Sequence, residues 1–380
     1  MRILISGAGI AGLALAGFLR EHGIEPALVE KAQAFGRVGY GIALWGNGIR
    51  ILQALGLEER FYAEGERIER WTLRDAQGAI LRSVELDLGE LPPLTAIHRA
   101  DLHAVLLEKV PSSWIRMDTA IERFSRHADG ASVVLSDGSR EHYDLVVGAD
   151  GIHSRVRELA FDNWRLKDMG AAVWSFWMPD DVETPPGFTE AWGRNGKAFL
   201  VAPVSGSHMG SVAVPLDERY NPEEHLAFLR GVVHADEWLL PEVLEAMDDP
   251  QSVFHDRLYE VEATHWQRER AVLVGDAAHA LHPIVGMGGS LALEDAYVLA
   301  DELSRVRGDR MGEALRSYVE RRRQRVARFR REAALTQSFT FVRSPLLRSI
   351  RDFAVRHTPF LERFFVRQAR NAAEDLFRKL

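Results

Sequence analysis

Three glycine-bearing segments, each at the end of an apolar strand and far apart in the chain, constrain the fold of this sequence more than any other feature. They are ISGAGIAG at 5–12, DLVVGADGIHSRVR at 144–157 and GDAAHALHPIVGMGGSLALED at 275–295. The third combines a strand-ending Gly-Asp, a His-Pro turn, a glycine cluster and then a helical run. A chain carrying all three is suited to wrap around an extended dinucleotide.

The N-terminal segment shows the physical basis. Residues 3–5 form a short apolar strand, and Gly7, Gly9 and Gly12 follow in GxGxxG spacing, with Ala11 between the last two. Gly7 makes the tight turn, Gly9 lets a pyrophosphate approach the backbone, and Gly12 lets the helix pack closely on the strand. The start of the helix adds free N–H groups and a partial positive charge. A second strand at 27–29 then delivers Glu30, 18 residues past Gly12, where a carboxylate accepts hydrogen bonds from a ribose diol. Lys31 stands beside it. The fingerprint by itself does not separate NAD from FAD.

The remaining segments make that choice through a resemblance. The chain resembles the flavoprotein monooxygenases of the para-hydroxybenzoate hydroxylase type, the class A flavoprotein aromatic hydroxylases. Residues 145–151 with Ser154, Arg155 and Arg157 match that family's strand, Asp-Gly and basic segment, which places Asp150 at the cofactor. Residues 272–276 match its strand-ending Gly-Asp, so Asp276 is expected on the ribityl or ribose portion of FAD. Pro283, Gly286, Gly288 and Gly289 continue the flavin-contacting loop. IHRADL at 97–102 is similar to the family's Arg-x-x-Leu site and brings Arg99 to the cofactor, and residues 39–57 also have the family's look. The resemblance runs from residue 1 to about 330. One departure stands out: many relatives carry Gln between the two loop glycines, where this chain has Met287.

The resemblance implies an α/β fold with a Rossmann-like FAD-binding lobe of the GR2 type, an inserted, mostly antiparallel β-sheet substrate lobe and a C-terminal helical segment. The FAD-binding domain is discontinuous, at 1–70, 96–167 and 266–330, and the substrate sheet comprises 71–95 and 168–265. The inserted segment alternates apolar and polar residues in strand fashion, is broken by turn signals such as Pro185-Pro186-Gly187, and includes a helical stretch at 222–233.

Aromatic residues concentrate in this lobe. Period-2 alternation puts Trp174 and Phe176 on one sheet face and Trp177 on the other. A face bearing Trp174, Phe176 and Trp192 over the flavin ring would suit a flat apolar substrate, with Met287 at its edge and Arg194 and His208 orienting a polar group. The same aromatics also read as core. His279 reads as a structural part of the flavin loop, and His282, before Pro283, as either a turn residue or a proton-transfer or substrate-orienting group. No histidine pair has metal-site spacing, and no metal is expected.

By resemblance, NADH or NADPH transiently reduces FAD, and O2 is trapped as a flavin C4a-hydroperoxide that oxygenates a small aromatic or lipophilic substrate. The protein supplies orientation, electrostatics and exclusion of water. Arg155 and Arg157 are candidates for the NAD(P)H phosphates, and Arg37, after Glu30, for shaping the flavin's resting position. A flavin-linked dehydrogenase or reductase, or an FAD protein that sequesters a reactive intermediate, are the competing readings.

Composition narrows the rest. Hydrophobic residues make up 46% and charged residues 27%, the balance of an ordinary globular protein. There is no cysteine, which removes disulfides and thiolate chemistry, and the expected location is the cytoplasm. Charge is unevenly placed. From Arg316 to the end there are 17 basic and 6 acidic residues, a net of +11, so with −8 overall the first 315 residues carry −19. A long Arg-rich helix is expected over 310–337, followed by two short amphipathic helices after Pro345 and Pro359. Residues 331–380 are expected to pack on the acidic body through Leu346, Leu347, Ile350, Phe353, Leu361, Phe364 and Phe365, with weak contact to an anionic membrane surface as the alternative. No nucleic-acid module accompanies the charge, and the enzyme is expected to be a monomer or homodimer.

Overall fold

Strands that are apolar at every position, such as ILIS and LVVG, must be covered on both faces, and a parallel sheet between helices provides that cover. A computed structural model describes residues 1–36, 40–247, 249, 252–306 and 310–373. Its six-stranded sheet runs in the order Gln267–Arg268, Ala271–Leu273, Leu145–Gly148, Ile3–Ser6, Ala27–Val29, Ile115–Arg116. All neighbours are parallel except the 267–268 edge. The ends of the three glycine segments are thereby brought side by side. Helix Ile10–Glu21 packs against helix Gly288–Ser304 over this sheet, and both are buried along most of their length.

The second sheet has seven strands, ordered Phe254–Ala263, Trp164–Trp177, Ser207–Pro215, Ala198–Val204, Phe188–Trp192, Arg70–Arg74, Ile80–Glu85. Every pairing is antiparallel except 188–192 with 70–74. Its two faces are both largely covered. The back, with Ala172, Trp174, Phe176, Phe199, Val201, Val212 and Val214, packs against helices His225–Val232 and Leu240–Ala246. The front carries Phe188, Trp192, Ala202, Val204 and Met209 and joins the core that contains Val285, Met287 and the C-terminal residues Leu361 and Phe365.

The chain ends in three helices, Met311–Thr340, Pro345–His357 and Phe360–Ala373. Leu361 and Phe365 of the last are buried against the body. Helix Pro345–His357 departs from the sequence expectation. It buries Arg351 and Val355, while Leu346, Leu347, Ile350 and Phe353 face outward. The physical reason is the Arg351 guanidinium, which donates to the carbonyls of Phe339 and Thr340 at 3.1 Å each and lies 4.5 Å over the Trp192 ring. Those contacts fix the helix with its apolar stripe out.

Candidate active site

Gly7 stands at φ +102°, and a Cβ there would come within 2.5 Å of the Ala149 carbonyl oxygen. A Cβ on Gly12 would lie 2.0 Å from the Gly7 carbonyl oxygen, so only glycine fits either place. Gly9 is different. Nothing lies within 4 Å of where its Cβ would be, and it caps helix Ile10–Glu21 with no side-chain hydrogen bond. The helix start therefore has open space and unclaimed N–H groups where a diphosphate would sit, which is the fit an FAD pyrophosphate requires. Glu30 ends the neighbouring strand and accepts from Ala8 N at 2.9 Å and Ala32 N at 3.0 Å, which fixes its carboxylate beside the glycine turn. Lys31 is exposed next to it. Ala11 is buried, close to Gly275 of the third segment.

Arg99 begins helix Arg99–Leu107, and its backbone N donates to the Tyr40 carbonyl at 3.0 Å. The charges that act on Asp276 are those of His279, Arg99 and Asp295. Asp276 starts helix Asp276–His279 with an exposed side chain beside densely packed protein, so its carboxylate is accessible to a ligand. Burial raises its pKa, against the pull of His279 and Arg99. A Cβ on Gly288 would fall 3.9 Å from the Asp276 Oδ1, so the two ends of the third segment meet. Pro283, Gly286 and Gly288 present open edges along the same rim, with Gly289 close behind against Ile42.

A fully buried ionic network holds that loop. Arg322 reaches Glu294 at 2.5 Å and Asp295 at 2.6 Å, and Arg325 clasps Glu294 from 2.6 Å. Asp295 also accepts from Gly275 N at 2.7 Å and contacts His279 Nε2 at 2.6 Å, and it is held down at a pKa of about 2 despite burial, by the charges of His279 and Arg322. Asn47 donates to Glu294 at 2.7 Å. His279 is thus a positioning residue of the loop.

The opposite wall is the front of the seven-stranded sheet. Gly41 N donates to Met209 Sδ at 3.0 Å, and Tyr40 packs on Phe254 at 4.7 Å, so this face meets the flavin-side segments directly. Trp174 and Phe176 are on the other face, and this corrects their expected place over the flavin. Alternation assigned them one face, but helices 225–232 and 240–246 cover that face, and Trp174 spends its indole N–H on His225 at 3.1 Å. Trp192 does lie on the front. Met287 is buried in the core, not open to the cleft. Arg194 sits at the sheet's edge, ion-paired to Asp236.

Three further expectations meet the geometry differently. Arg157 is fully buried, donating to the carbonyls of Ala277 and Ile152 and covering Trp164, so it is unavailable to NAD(P)H phosphates. Arg155 pairs with Glu158 at 2.9 Å. Asp150 turns its carboxylate into its own loop, accepting from Ser154 Oγ and Val156 N, while its backbone abuts Gly7. Arg37 lies outside the described residues.

His282 is buried, and its Nδ1 accepts from Ile284 N at 3.2 Å. Burial lowers its pKa to about 4, so at neutral pH the proton sits on Nε2, which has no hydrogen-bond partner. A neutral imidazole of that tautomer donates a hydrogen bond and does not serve as a base at Nε2.

The sequence reading passed over Glu190. It shares the front face with Trp192, whose Nε1 donates to it at 2.9 Å, with Trp71 and Arg351 also acting on it. Burial lifts its pKa to about 7. The available signal was a carboxylate inside FTEAW, a short strand whose other residues are Phe, Thr, Ala and Trp. Ser175 and Ser211, 3.0 Å apart, add hydroxyls to this face.

A glycine-lined dinucleotide cradle joined to a largely antiparallel sheet is the architecture of a flavoprotein of the aromatic hydroxylase class. Residues 1–333 match the family described as FAD binding domain, and the chain belongs to that family. It is 34% identical over 306 residues to 2-heptyl-3-hydroxy-4(1H)-quinolone synthase of Pseudomonas aeruginosa, covering 79% of this chain and 80% of that one. It is 33% identical over 348 residues to 3-amino-4-hydroxybenzoate 2-monooxygenase of Streptomyces cremeus, covering 88% and 86%. Klebsiella pneumoniae HpxO, solved with FAD and uric acid, superposes with a TM-score of 0.86 at 25% identity over 98% of this chain and 97% of its own. The chain is an FAD-dependent monooxygenase, an oxidoreductase.

Proposed function

We propose that this enzyme uses NADH or NADPH, transiently bound, and O2 to place one oxygen atom on a flat aromatic or polycyclic molecule bearing a ring N–H or O–H. The observation that carries this reading is Glu190, a part-buried carboxylate on the front face of the seven-stranded sheet, held by the Trp192 indole N–H and set near Trp71 and Arg351, with its pKa raised to about 7. Apolar walls favour a flat ring, and one acceptor among them fixes its orientation. The Pseudomonas relative is named for a 4(1H)-quinolone, which has a ring N–H, and the Streptomyces relative for an aminohydroxybenzoate.

Bound FAD would supply the electron transfer and the activation of O2. Glu30, Arg99 and Asp276 would hold its ribose and ribityl hydroxyls, and the Gly9 helix start its diphosphate. Glu190 would accept the substrate N–H or O–H. Leu200, which pairs with Glu190 across strands 198–204 and 188–192, would exclude water together with Phe188 and Trp71. We place the reaction in the cytoplasm, where the reductant is available.

The test is NAD(P)H oxidation in air by the yellow protein across phenols, quinolones and aminohydroxybenzoates, with mass spectrometry of each mixture. Accelerated oxidation with a product heavier by one oxygen supports the proposal. No acceleration by any of them would overturn it in favour of a reductase or a sequestering protein. Acceleration yielding only hydrogen peroxide would overturn the assigned substrate class.

A further inference from the structure

Helix Pro345–His357 presents its apolar side to solvent. Leu346 is 70% exposed, Leu347 56%, Ile350 57% and Phe353 66%, and no described residue covers them. At 100° per residue, 346, 350 and 353 form one stripe, with Arg351 and Val355 on the opposite side. Leu335, 53% exposed, adds to the apolar surface of the preceding helix. Scattered exposed apolar residues are ordinary, but a contiguous stripe with a charged rim marks an interaction surface.

The orientation is fixed by specific contacts. Arg351 is buried under the helix, bonded to two carbonyls and seated over Trp192, and Ser344 caps the helix start. Rolling the stripe inward would tear Arg351 from those partners and expose Val355. The fold thus holds four large apolar side chains in water by a dedicated anchor.

The rim decides the partner. Arg343 and Arg356 are exposed and Arg348 is half-buried on this helix and its lead-in, against the single acid Asp352. Arg363, Arg367 and Arg370 are exposed on the next helix. We propose that this stripe and its arginine rim dock the enzyme on an anionic phospholipid surface, the helix lying in the plane of the interface. Basic residues flanking an outward apolar stripe are the pattern of an interfacial helix. A second copy of the chain is disfavoured, since a two-fold contact would set Arg343, Arg348 and Arg356 against their own equivalents. The rest of the chain carries −19 up to residue 315, so repulsion there would turn the basic end toward the lipid. No described helix is long and apolar enough to cross a membrane, so the contact is peripheral. Docking would place the bilayer about one helix diameter, roughly 10 Å, from Trp192 and the front of the substrate sheet.

Flotation of the FAD-loaded protein with vesicles tests this. One set is phosphatidylcholine alone, the other phosphatidylcholine with phosphatidylglycerol. Co-flotation is expected with the anionic vesicles, with only a trace on the neutral ones, weakening as salt is raised. The variant I350D/F353D is expected to lose binding by at least 100-fold, from the lost burial of two large apolar side chains and the added charge. Arg348→Glu should lose at least fivefold. Both should keep the flavin spectrum, and I350D/F353D should also keep the melting temperature, because Ile350 and Phe353 point outward. Failure of the parent protein to float with anionic vesicles, or equal flotation of I350D/F353D, overturns the proposal. Sedimentation showing a dimer that I350D/F353D abolishes, without vesicle binding, would assign the stripe to a second copy instead. None of these readouts depends on the oxygenation chemistry.

Discussion

The two faces of the seven-stranded sheet look alike in sequence and do different things. Both are rich in aromatic and branched residues, and both are mostly buried. The back, centred on Trp174, closes against two helices through apolar contact, with His225 satisfying the indole. The front, bearing Trp192, keeps polar groups in its depths: Glu190, Ser175 and Ser211. Polarity alone does not separate the faces, because the back buries Lys197 and Glu237 as an ion pair at 2.9 Å; the difference is that Glu190 on the front is held by the Trp192 indole N–H instead of by such a cation.

The largest expected effect falls on the back face. Trp174→Ala should destabilise the fold by about 3–5 kcal/mol, the usual cost of emptying so large a core site. The fraction that remains folded should keep its KM for the substrate. Thermal unfolding together with initial rates checks this, and a normal melting temperature with a raised KM would return Trp174 to the substrate pocket. Arg322→Leu should cost a similar amount, about 3–5 kcal/mol, since it leaves Glu294 and Asp295 as poorly compensated buried charges. It should also release FAD, which absorbance after gel filtration would show.

Next comes the cofactor side. Asp276→Ala removes the exposed acid beside Gly288, and the purified protein should lose most of its yellow colour with little change in fold. A variant retaining stoichiometric FAD would show that the cofactor is held elsewhere.

The cofactor side was legible because backbone geometry dictates residue type there. At Gly7 and Gly12 any Cβ would collide with a main-chain oxygen, so the requirement is written into the sequence as glycine. Glu30 was equally legible, since a strand end has one place for an acid. The sheet's working face was not. Alternation tells which residues share a side, but the side left to the ligand is decided by where helices 225–232 and 240–246 land, a tertiary matter. Glu190 escaped notice because strand patterning treats an acid as outward-facing. Helix Pro345–His357 shows the same limit. Its amphipathic pattern is plain, yet which side turns inward is decided by the Arg351 contacts with Trp192 and two carbonyls, and those partners lie on other elements.

A smaller and more selective effect is expected at Glu190. Burial raises its carboxyl from the ordinary value to about 7, so the folded state binds the proton more tightly than the unfolded chain. Stability should therefore fall as pH rises from about 4.5 to about 7 and be level above that. Glu190→Gln should flatten that slope in the melting temperature. If the carboxylate accepts the substrate's N–H or O–H, kcat/KM of the parent enzyme should rise through the same window, and the Gln variant should lose roughly tenfold or more at neutral pH. Rescue by Glu190→Asp but not by Gln would separate charge from volume. An unchanged pH profile in Glu190→Gln would make the residue a structural tie to Trp192 and nothing more.

The smallest effect is expected at Arg194, which the sequence placed beside the substrate and the structure places at the sheet's edge. Its ion pair with Asp236 is solvent-exposed, and such pairs contribute about 0–1 kcal/mol. Arg194→Ala should therefore move the melting temperature little and leave both kcat and KM as they are. The value of the variant lies in its position, only two residues past Trp192 on the same stretch of chain. If Trp192→Ala raises KM while Arg194→Ala does not, the boundary of the front face lies between them, where the strand ends at Trp192 and the chain turns away. If Arg194→Ala raises KM as much, the pocket extends past the sheet edge, and the contrast between a closed back and a binding front would need to be redrawn around that edge.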